Sequence, residues 1–362
     1  MQPFEHFAPT YAAARARFRG LCEHAGLALR EVPHPLAGRD GEALALDVAR
    51  AGPGPEDARS VLLISSGCHG VEGFCGSGIQ CALLANPRWH EEAAAAGIAV
   101  VYLHALNPWG FSMERRVTHE NVDLNRNFLD FTQPLPRNAA YDGIARWLVP
   151  RHWPAPLATA ALLAYAARHG RRSLQQALSG GQSQYPSGMF YSGAAPSWSH
   201  RVVREVVREH GRRCARLAWI DLHSGLGSRG RGEPILACNP DPVTIGRARR
   251  WWGEKVRMTE DGTSVSARLS GTMWHVAPDE CPQAEFTGIA LEFGTRSAWH
   301  VLQALRADHF LAAYGAAAGA AARQRIRRRM RAAFFVESDD WKVAVVAQGR
   351  QAVLQAVKGL AS

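Results

Sequence analysis

Two residues of the fragment Gly67-Cys68-His69-Gly70-Val71-Glu72-Gly73 could share a divalent cation: the imidazole at 69 and the carboxylate at 72. Three residues apart, they converge only if the backbone bends between them, and the glycines at 67, 70 and 73 permit the bend. Such a pair occurs often by chance, so its value depends on a third ligand. The string LAWIDLHSG, residues 217–225, offers His223 with Asp221 two residues before it. Alternation along an extended segment puts Trp219, Asp221 and His223 on one face, where Asp221 could hold the histidine from behind. Two histidines and one carboxylate leave a fourth position for water, which is the composition of a catalytic zinc site with one ion per chain.

Hydrolysis at such a site needs a base. TGIALEFGT, residues 287–295, carries one carboxylate, Glu292, inside an otherwise apolar run. Ile289, Leu291 and Phe293 share one face; Ala290, Glu292 and Gly294 share the other, so small residues leave space around the carboxylate. Burial raises the pKa of an unpaired carboxylate and suits it to proton transfer, whereas a buried Arg or His partner would make it merely structural. Anion recognition has its own candidates. MERRVTHENVDLNRNF, residues 113–128, gathers Arg115, Arg116, Asn125 and Arg126. Guanidinium groups bind carboxylates in a planar fork, and an Asn amide adds donors of fixed geometry.

The positioning elements are legible as apolar runs. SVLLISS (60–66) reads as a buried strand feeding His69, and 217–225 and 287–295 as two more, while IAVVYLHALNP (98–108) is an apolar segment preceding the arginines. Polar groups gathered at strand ends are the usual arrangement of a site in an α/β sheet. The alternating pattern runs from 69 to 292 without an internal repeat, which predicts one α/β domain over 1–362. Residues 1–26 read as an amphipathic helix ended by Gly26, and 335–362 as a closing helix with an acidic start. Gly180-Gly181 and the Pro, Ser and Gly of 186–197 predict a long surface segment that covers substrate.

Composition narrows the classes. With 47% hydrophobic residues in 362, the chain can bury a large core. The first 26 residues lack the apolar stretch of a signal peptide, and no window approaches a membrane span. Seven scattered cysteines fit a reducing cytoplasm, with Cys68 and Cys75 packing as small hydrophobes rather than serving as ligands. A net charge of +10 and the arginines between 323 and 331 invite a nucleic-acid reading. The run lies in a helical stretch with no binding module, so a solvated face or a contact between identical chains is expected, and neither nucleic acid nor membrane as partner. His90, His104, His119, His275 and His300 have no motif partner; His119 lies near the arginine cluster.

Taken in order, His69-x-x-Glu72, an Arg followed by Asp123-Leu124-Asn125-Arg126-Asn127-Phe128, then His223 and Glu292 resemble the zinc carboxypeptidase superfamily. HGVEGFCGSGIQ, YPSGMFYSG, DLHSGLG and GIALEFGT resemble a bacterial branch of it known mainly as a domain of unknown function. The resemblance spans the chain to about residue 330. It implies a three-layer α/β/α sandwich around a mixed, about eight-stranded twisted sheet. It also implies His69, Glu72 and His223 as zinc ligands and Glu292 as general base and acid. Asn125 and Arg126 would grip the substrate's carboxylate, and Arg116, with Arg115 as the other candidate, would polarise the scissile carbonyl. The mobile tyrosine of the digestive enzymes does not align; Tyr191 and Tyr185 are the nearest candidates. The expected substrate is a peptide or small molecule bearing a free carboxylate. The aspartoacylase and succinylglutamate desuccinylase branch shares the metal set, which keeps an N-acyl amino acid deacylase in view beside a peptidase. A metal- or peptide-binding protein without catalysis is the third reading, and Glu292 weighs against it.

Overall fold

In the computed structural model, described over residues 2–259 and 262–362, seven strands form one mixed sheet. They are β1 (Ala28–Ala37), β2 (Ala43–Ala51), β3 (Ser60–Ser66), β4 (Ile98–His104), β5 (Arg216–Arg229), β6 (Gly232–Leu236) and β7 (Glu285–Gly294). The order across the sheet is β1-β2-β4-β3-β5-β7-β6. β4, β3, β5 and β7 run parallel in the centre, while β1, β2 and β6 pair antiparallel at the edges. The sheet thus has seven strands where the resemblance implied about eight. Its class is the expected one.

The central strands are apolar on both faces because helices cover both. Leu62 and Ile64 of β3, Val100 and Tyr102 of β4, and Ile220 and Leu222 of β5 enter one core, under helices Tyr11–His24, Gly73–Leu84 and Asp339–Ala361. Val61 and Leu63, Val101 and Leu103, and Leu217 and Trp219 enter the other, under helix Trp198–Gly211. This alternation fixes the site. Asp221 and His223 continue the face of Trp219, and Glu292 lies opposite the Ile289–Leu291–Phe293 face of β7. Both groups therefore emerge on the same side of the sheet, at the carboxyl ends of parallel neighbours.

The terminal helices run Tyr11–His24 and Asp339–Ala361. Thr10 caps Tyr11–His24 by accepting from Ala13 N–H, and Gly26 leaves it at a φ of 64°. Asp339 and Asp340 open the last helix, Asp339–Ala361. The segment predicted to cover substrate differs from expectation. Met189, Phe190 and Tyr191 are buried, because Gln182 N–H donates to Phe190 O and Asp123 N–H to Tyr191 O, drawing this stretch into the interior. The outer wall is built instead by helices Pro156–His169 and Arg171–Ser179 together with residues 264–269. Gln175 Nε2 and Gln176 Nε2 donate to the Val265 and Arg268 carbonyls and tie these parts together. The arginine-bearing helix Ala320–Phe334 buries Ile326, Met330, Ala333 and Phe334, leaves Arg325, Arg328 and Arg329 exposed and half-buries Arg323, Arg327 and Arg331. Among the described residues no helix is long and apolar enough to cross a membrane.

Candidate metal centre and active site

The bend after β3 brings His69 and Glu72 together. Gly67 has a φ of 67°, open to glycine at no steric cost, and a Cβ on Gly70 would stand 2.0 Å from the Gly110 carbonyl carbon. That close approach lets Gly70 N–H and Val71 N–H donate to the Arg116 and Arg115 carbonyls, which fastens the turn Gly70–Glu72 beneath the arginine segment. His69, Glu72 and His223 are all buried, and their ligating atoms lie within 4.8 Å of one another.

The orientation of these three groups tests whether a metal fits. His69 Nδ1 faces Glu72 Oε1 at 2.9 Å, and His223 Nδ1 faces Glu72 Oε2 at 3.0 Å. The outer nitrogen of each ring meets an aspartate: His223 Nε2 lies 2.5 Å from Asp221 Oδ2, and His69 Nε2 lies 3.2 Å from Asp123 Oδ1. At His223 the carboxylate on Nε2 holds the proton there and frees the Nδ1 lone pair, which is how proteins present histidine to a cation; His69 Nε2 has the Arg116 Nη2 donor at 2.7 Å as its nearer neighbour. Two imidazoles and one carboxylate form a hard-to-borderline donor set that fits zinc. Burial would raise the Glu72 carboxyl, but His69 and His223 outweigh it and hold the group below the usual range. Cys68, Asp221 and His223 also cluster. There, burial pushes the Cys68 thiol well up, and Asp221 is already committed to His223 and to Ser65 Oγ, which donates at 2.6 Å.

Glu292 stands opposite His223 in the β5–β7 register. Its Oε1 accepts from Leu226 N–H at 2.9 Å, leaving Oε2 to the cavity. Burial, with the Glu72 charge added, pushes its carboxyl up to about 7. Its hydrogen-bond partner is a backbone N–H and not the buried Arg or His of a paired glutamate.

The arginines divide. Arg116 lines the cavity, donating from Nε to Asp123 at 2.9 Å and from Nη1 to Glu72 at 3.2 Å; its Nη2 lies 2.7 Å from His69 Nε2. Arg115 turns away to Asp308 at 2.9 Å and lies outside the cavity lining. Asn125 and Arg126 both reach the cavity from the turn Leu124–Arg126. Asn125 Oδ1 accepts from Met273 N–H, leaving its NH₂ as a donor. Arg126 gives Nε and one Nη2 proton to Ser179 O and one Nη1 proton to Asn125 O. One N–H remains on each terminal nitrogen, enough for a carboxylate fork. Burial lowers the Arg126 pKa to about 10, still a cation at neutral pH.

Tyr191 and Tyr185 do not line the cavity. Tyr191 is buried beside Asp123, and the Tyr185 ring lies 5.5 Å from that of Tyr141. His119 pairs with Glu120, away from the metal-ligand cluster. Three contributors were given no role by the sequence. Asp123 joins His69, Arg116 and Asn125 N–H; burial would raise its carboxyl, but Arg116 and Arg126 hold it well below the usual range. It opens the quoted DLNRNF string, so its place was visible although its role was not. Ser65 links Trp219 Nε1 to Asp221. Phe190 lies against both Arg116 and Arg126. The enclosing cavity, about 510 Å³, is walled largely by apolar side chains including Leu163, Leu174, Leu178, Trp274, Trp299 and Phe334.

Comparison with known proteins agrees with this architecture. The structure of bovine thrombin-activatable fibrinolysis inhibitor in complex with tick carboxypeptidase inhibitor matches with a TM-score of 0.51 at 10% identity, covering 99% of this chain and 98% of that one. Carboxypeptidase A from Helicoverpa armigera matches at 0.48 and 15% identity, over 91% and 75%. An aspartoacylase family protein from Mesorhizobium loti matches at 0.36 and 17%, over 80% and 67%. No curated protein sequence matches the chain. The fold is carboxypeptidase-like. A family model described as "Protein of unknown function (DUF2817)" matches residues 7–348, and the chain belongs to that family.

Proposed function

We infer that this protein is a zinc-dependent amide hydrolase of carboxypeptidase type, acting on a substrate with a free carboxylate. One observation carries the reading. A complete two-histidine, one-carboxylate set and an unpaired, pKa-raised Glu292 face one cavity from adjacent strands. His69, Glu72 and His223 would hold the ion. When bound, zinc lowers the pKa of a ligand water to about 7 and polarises a carbonyl.

The chain's own residues divide the remaining work. Glu292 Oε2 takes a proton from the attacking water and passes it to the amide nitrogen as the C–N bond breaks. Arg116, anchored by Asp123, faces the developing oxyanion. Asn125 and the free fork of Arg126 receive the carboxylate of the departing amino acid. Leu174 and Leu178, on the helix whose Ser179 carbonyl holds Arg126, offer an apolar surface beside that carboxylate. This favours a peptide or acylated apolar amino acid over a small acidic one, and so the peptidase reading over the aspartoacylase type. Metal analysis joined to an amine-release screen of N-acyl amino acids and C-terminal peptides tests it. One zinc per chain with turnover of a free-acid amide is expected; a zinc-loaded protein that cleaves none of them refutes it.

A further inference from the structure

The arginines between 323 and 331 do not share one environment. Arg325 and Arg329 are exposed, whereas Arg328 and Arg331 line a cleft of about 400 Å³ that neither of those two reaches. Two more arginines enter the same cleft from distant parts of the chain. Arg229 closes β5, and Arg296 stands two residues beyond β7. Thr295 Oγ1 lies 2.5 Å from Ala333 O, which ties the segment carrying Arg296 to the helix carrying Arg328 and Arg331. The cleft backs onto the metal cavity without belonging to it: Phe334 lines the cavity and Phe335 the cleft.

Two of the four arginines are held in place. Arg229 meets Asp340 through Nη1 at 2.6 Å and Nη2 at 3.1 Å, and its Nη2 donates to Ser338 Oγ at 2.8 Å. Arg331 donates to Pro9 O at 2.8 Å and lies over the Phe74 ring, 4.1 Å from its centroid. Glu337 is the one carboxylate among the described residues that line the cleft, and it is taken: Lys342 Nζ lies 2.5 Å from it and Arg331 Nη2 3.5 Å. Arg296 and Arg328 differ. Both are exposed, and among the described residues neither has a hydrogen bond or an ion pair. Their charges are the uncompensated ones.

A guanidinium fork takes two oxygens of an anion. A carboxylate offers two oxygens and one charge, enough for one fork. A phosphate group offers at least three acceptor oxygens and about two negative charges at neutral pH, enough for both. The shape agrees, because small ligands occupy hollows of about 300–1,000 Å³. A polynucleotide is followed along a row of phosphates, whereas these arginines close on one hollow. We propose that the cleft of Arg229, Arg296, Arg328 and Arg331 binds a phosphate group, free or as a phosphomonoester, apart from the metal cavity. Arg296 and Arg328 grip its oxygens, and the two fixed arginines supply the positive wall behind it. The site stands whether or not the hydrolase reading does.

Calorimetric titration of the full-length, zinc-loaded protein with inorganic phosphate and with phenyl phosphate tests this. Saturable binding of one anion per cleft is expected, weakening as salt is raised. Tighter binding of phenyl phosphate would assign a phosphomonoester, and tighter binding of inorganic phosphate the free ion. Arg296→Ala and Arg328→Ala should each weaken binding by about tenfold, the lower end of what a hydrogen bond to a charged group is worth. Neither side chain has a partner to lose, so both variants should fold. Arg328→Lys keeps the charge without the fork and should recover only part of the affinity. Arg325→Ala removes the same charge from the same helix outside the cleft and should change affinity by less than about twofold. Equal losses from Arg325→Ala and Arg328→Ala would reduce the effect to general basicity and overturn the proposal. Binding that vanishes in Arg126→Ala but survives Arg296→Ala would place the anion in the metal cavity and overturn it too. So would an absence of saturation at about 10 mM of either probe, including the case in which a single-stranded oligonucleotide binds instead.

Discussion

The site has two halves built in different ways. One half stands on strand ends: His69 after β3, Asp221 and His223 on β5, and Glu292 on β7, with their spacing set by the register of a parallel sheet. The other half hangs on turns and helices. Asn125 and Arg126 sit on a single short turn, Phe190 on a clamped loop, Leu163 on helix Pro156–His169, and Leu174 and Leu178 on helix Arg171–Ser179, whose Gln175 and Gln176 bond the Val265 and Arg268 carbonyls. Buried ladder hydrogen bonds hold the first half, and individual side-chain bonds hold the second. The rigid half therefore suits chemistry, which tolerates little displacement, and the adaptable half suits recognition. Substitutions in the first half should reduce turnover of every substrate. Those in the second should discriminate among substrates.

The largest effect is expected from His223→Ala. Loss of one nitrogen from a three-ligand set should remove most of the zinc and leave no measurable turnover on any substrate. The fold should survive at a cost of about 1–3 kcal/mol, since Asp221 keeps Ser65 as a donor. Metal analysis beside circular dichroism reads both. Full zinc occupancy in this variant would break the assignment, and loss of the fold with the metal would make the site structural.

Glu292→Gln should retain zinc and lose about 100- to 10,000-fold in kcat, equally on acid and amidated substrates. The sign of its pH dependence follows from its environment. Burial and the Glu72 charge raise the carboxyl to about 7, and a base works only when ionised. kcat/KM should therefore climb as pH rises through this region and level off above it, with the midpoint drawn lower by a bound cation. A pH–rate profile that keeps the same rising limb after Glu292→Gln would assign it to another group.

The two halves also differed in legibility. A lone carboxylate in Ile289–Phe293, or a histidine closing Leu217–Leu222, is conspicuous because the flanking positions are apolar on both faces. Period-two alternation then states which polar groups share a side. The recognition half carries no such contrast. Helices Pro156–His169 and Arg171–Ser179 are ordinary Ala- and Leu-bearing helices, placed at the cavity by tertiary contacts: Arg306 donates to Thr159 of the first, and Gln175 and Gln176 of the second donate to the Val265 and Arg268 carbonyls. Adjacent arginines are equally hard to separate by sequence. Asp308, almost two hundred residues away, captures Arg115 and leaves Arg116 to the site. The glycine- and proline-rich stretch near 190 looks like surface, yet Gln182 and Asp123 pull it inward through backbone bonds that composition does not encode.

Arg126→Ala sharpens the contrast between the halves. It should lower kcat/KM on a free acid by about 10- to 150-fold and barely change it on the corresponding amide, where the ionic fork is already absent. Arg116→Ala should lower both alike, as befits a group facing the oxyanion. Equal losses on both substrates for Arg126→Ala would move Arg126 to the structural half and defeat the carboxylate assignment.

The smallest effect on catalysis should come from Ser65→Ala, and it tests how far the rigid half extends. Ser65 Oγ donates to Asp221 at 2.6 Å and accepts from Trp219 Nε1 at 2.8 Å, so it is the third link behind His223. Removing the hydroxyl strands a buried indole N–H and takes one donor from Asp221, at a cost of about 1–3 kcal/mol in unfolding free energy. The His223–Asp221 contact itself is untouched, and β5 is paired with β3 up to Leu222 and with β7 through His223. The imidazole should therefore keep its orientation, and the zinc-loaded variant should retain turnover within about threefold of wild type, less than one full neutral hydrogen bond is worth. Denaturant unfolding and steady-state kinetics on the same preparation separate the two quantities. A loss of activity as large as the loss of stability would mean that the sheet alone does not hold His223, and that the hydroxyl, rather than strand register, sets the metal ligand in place.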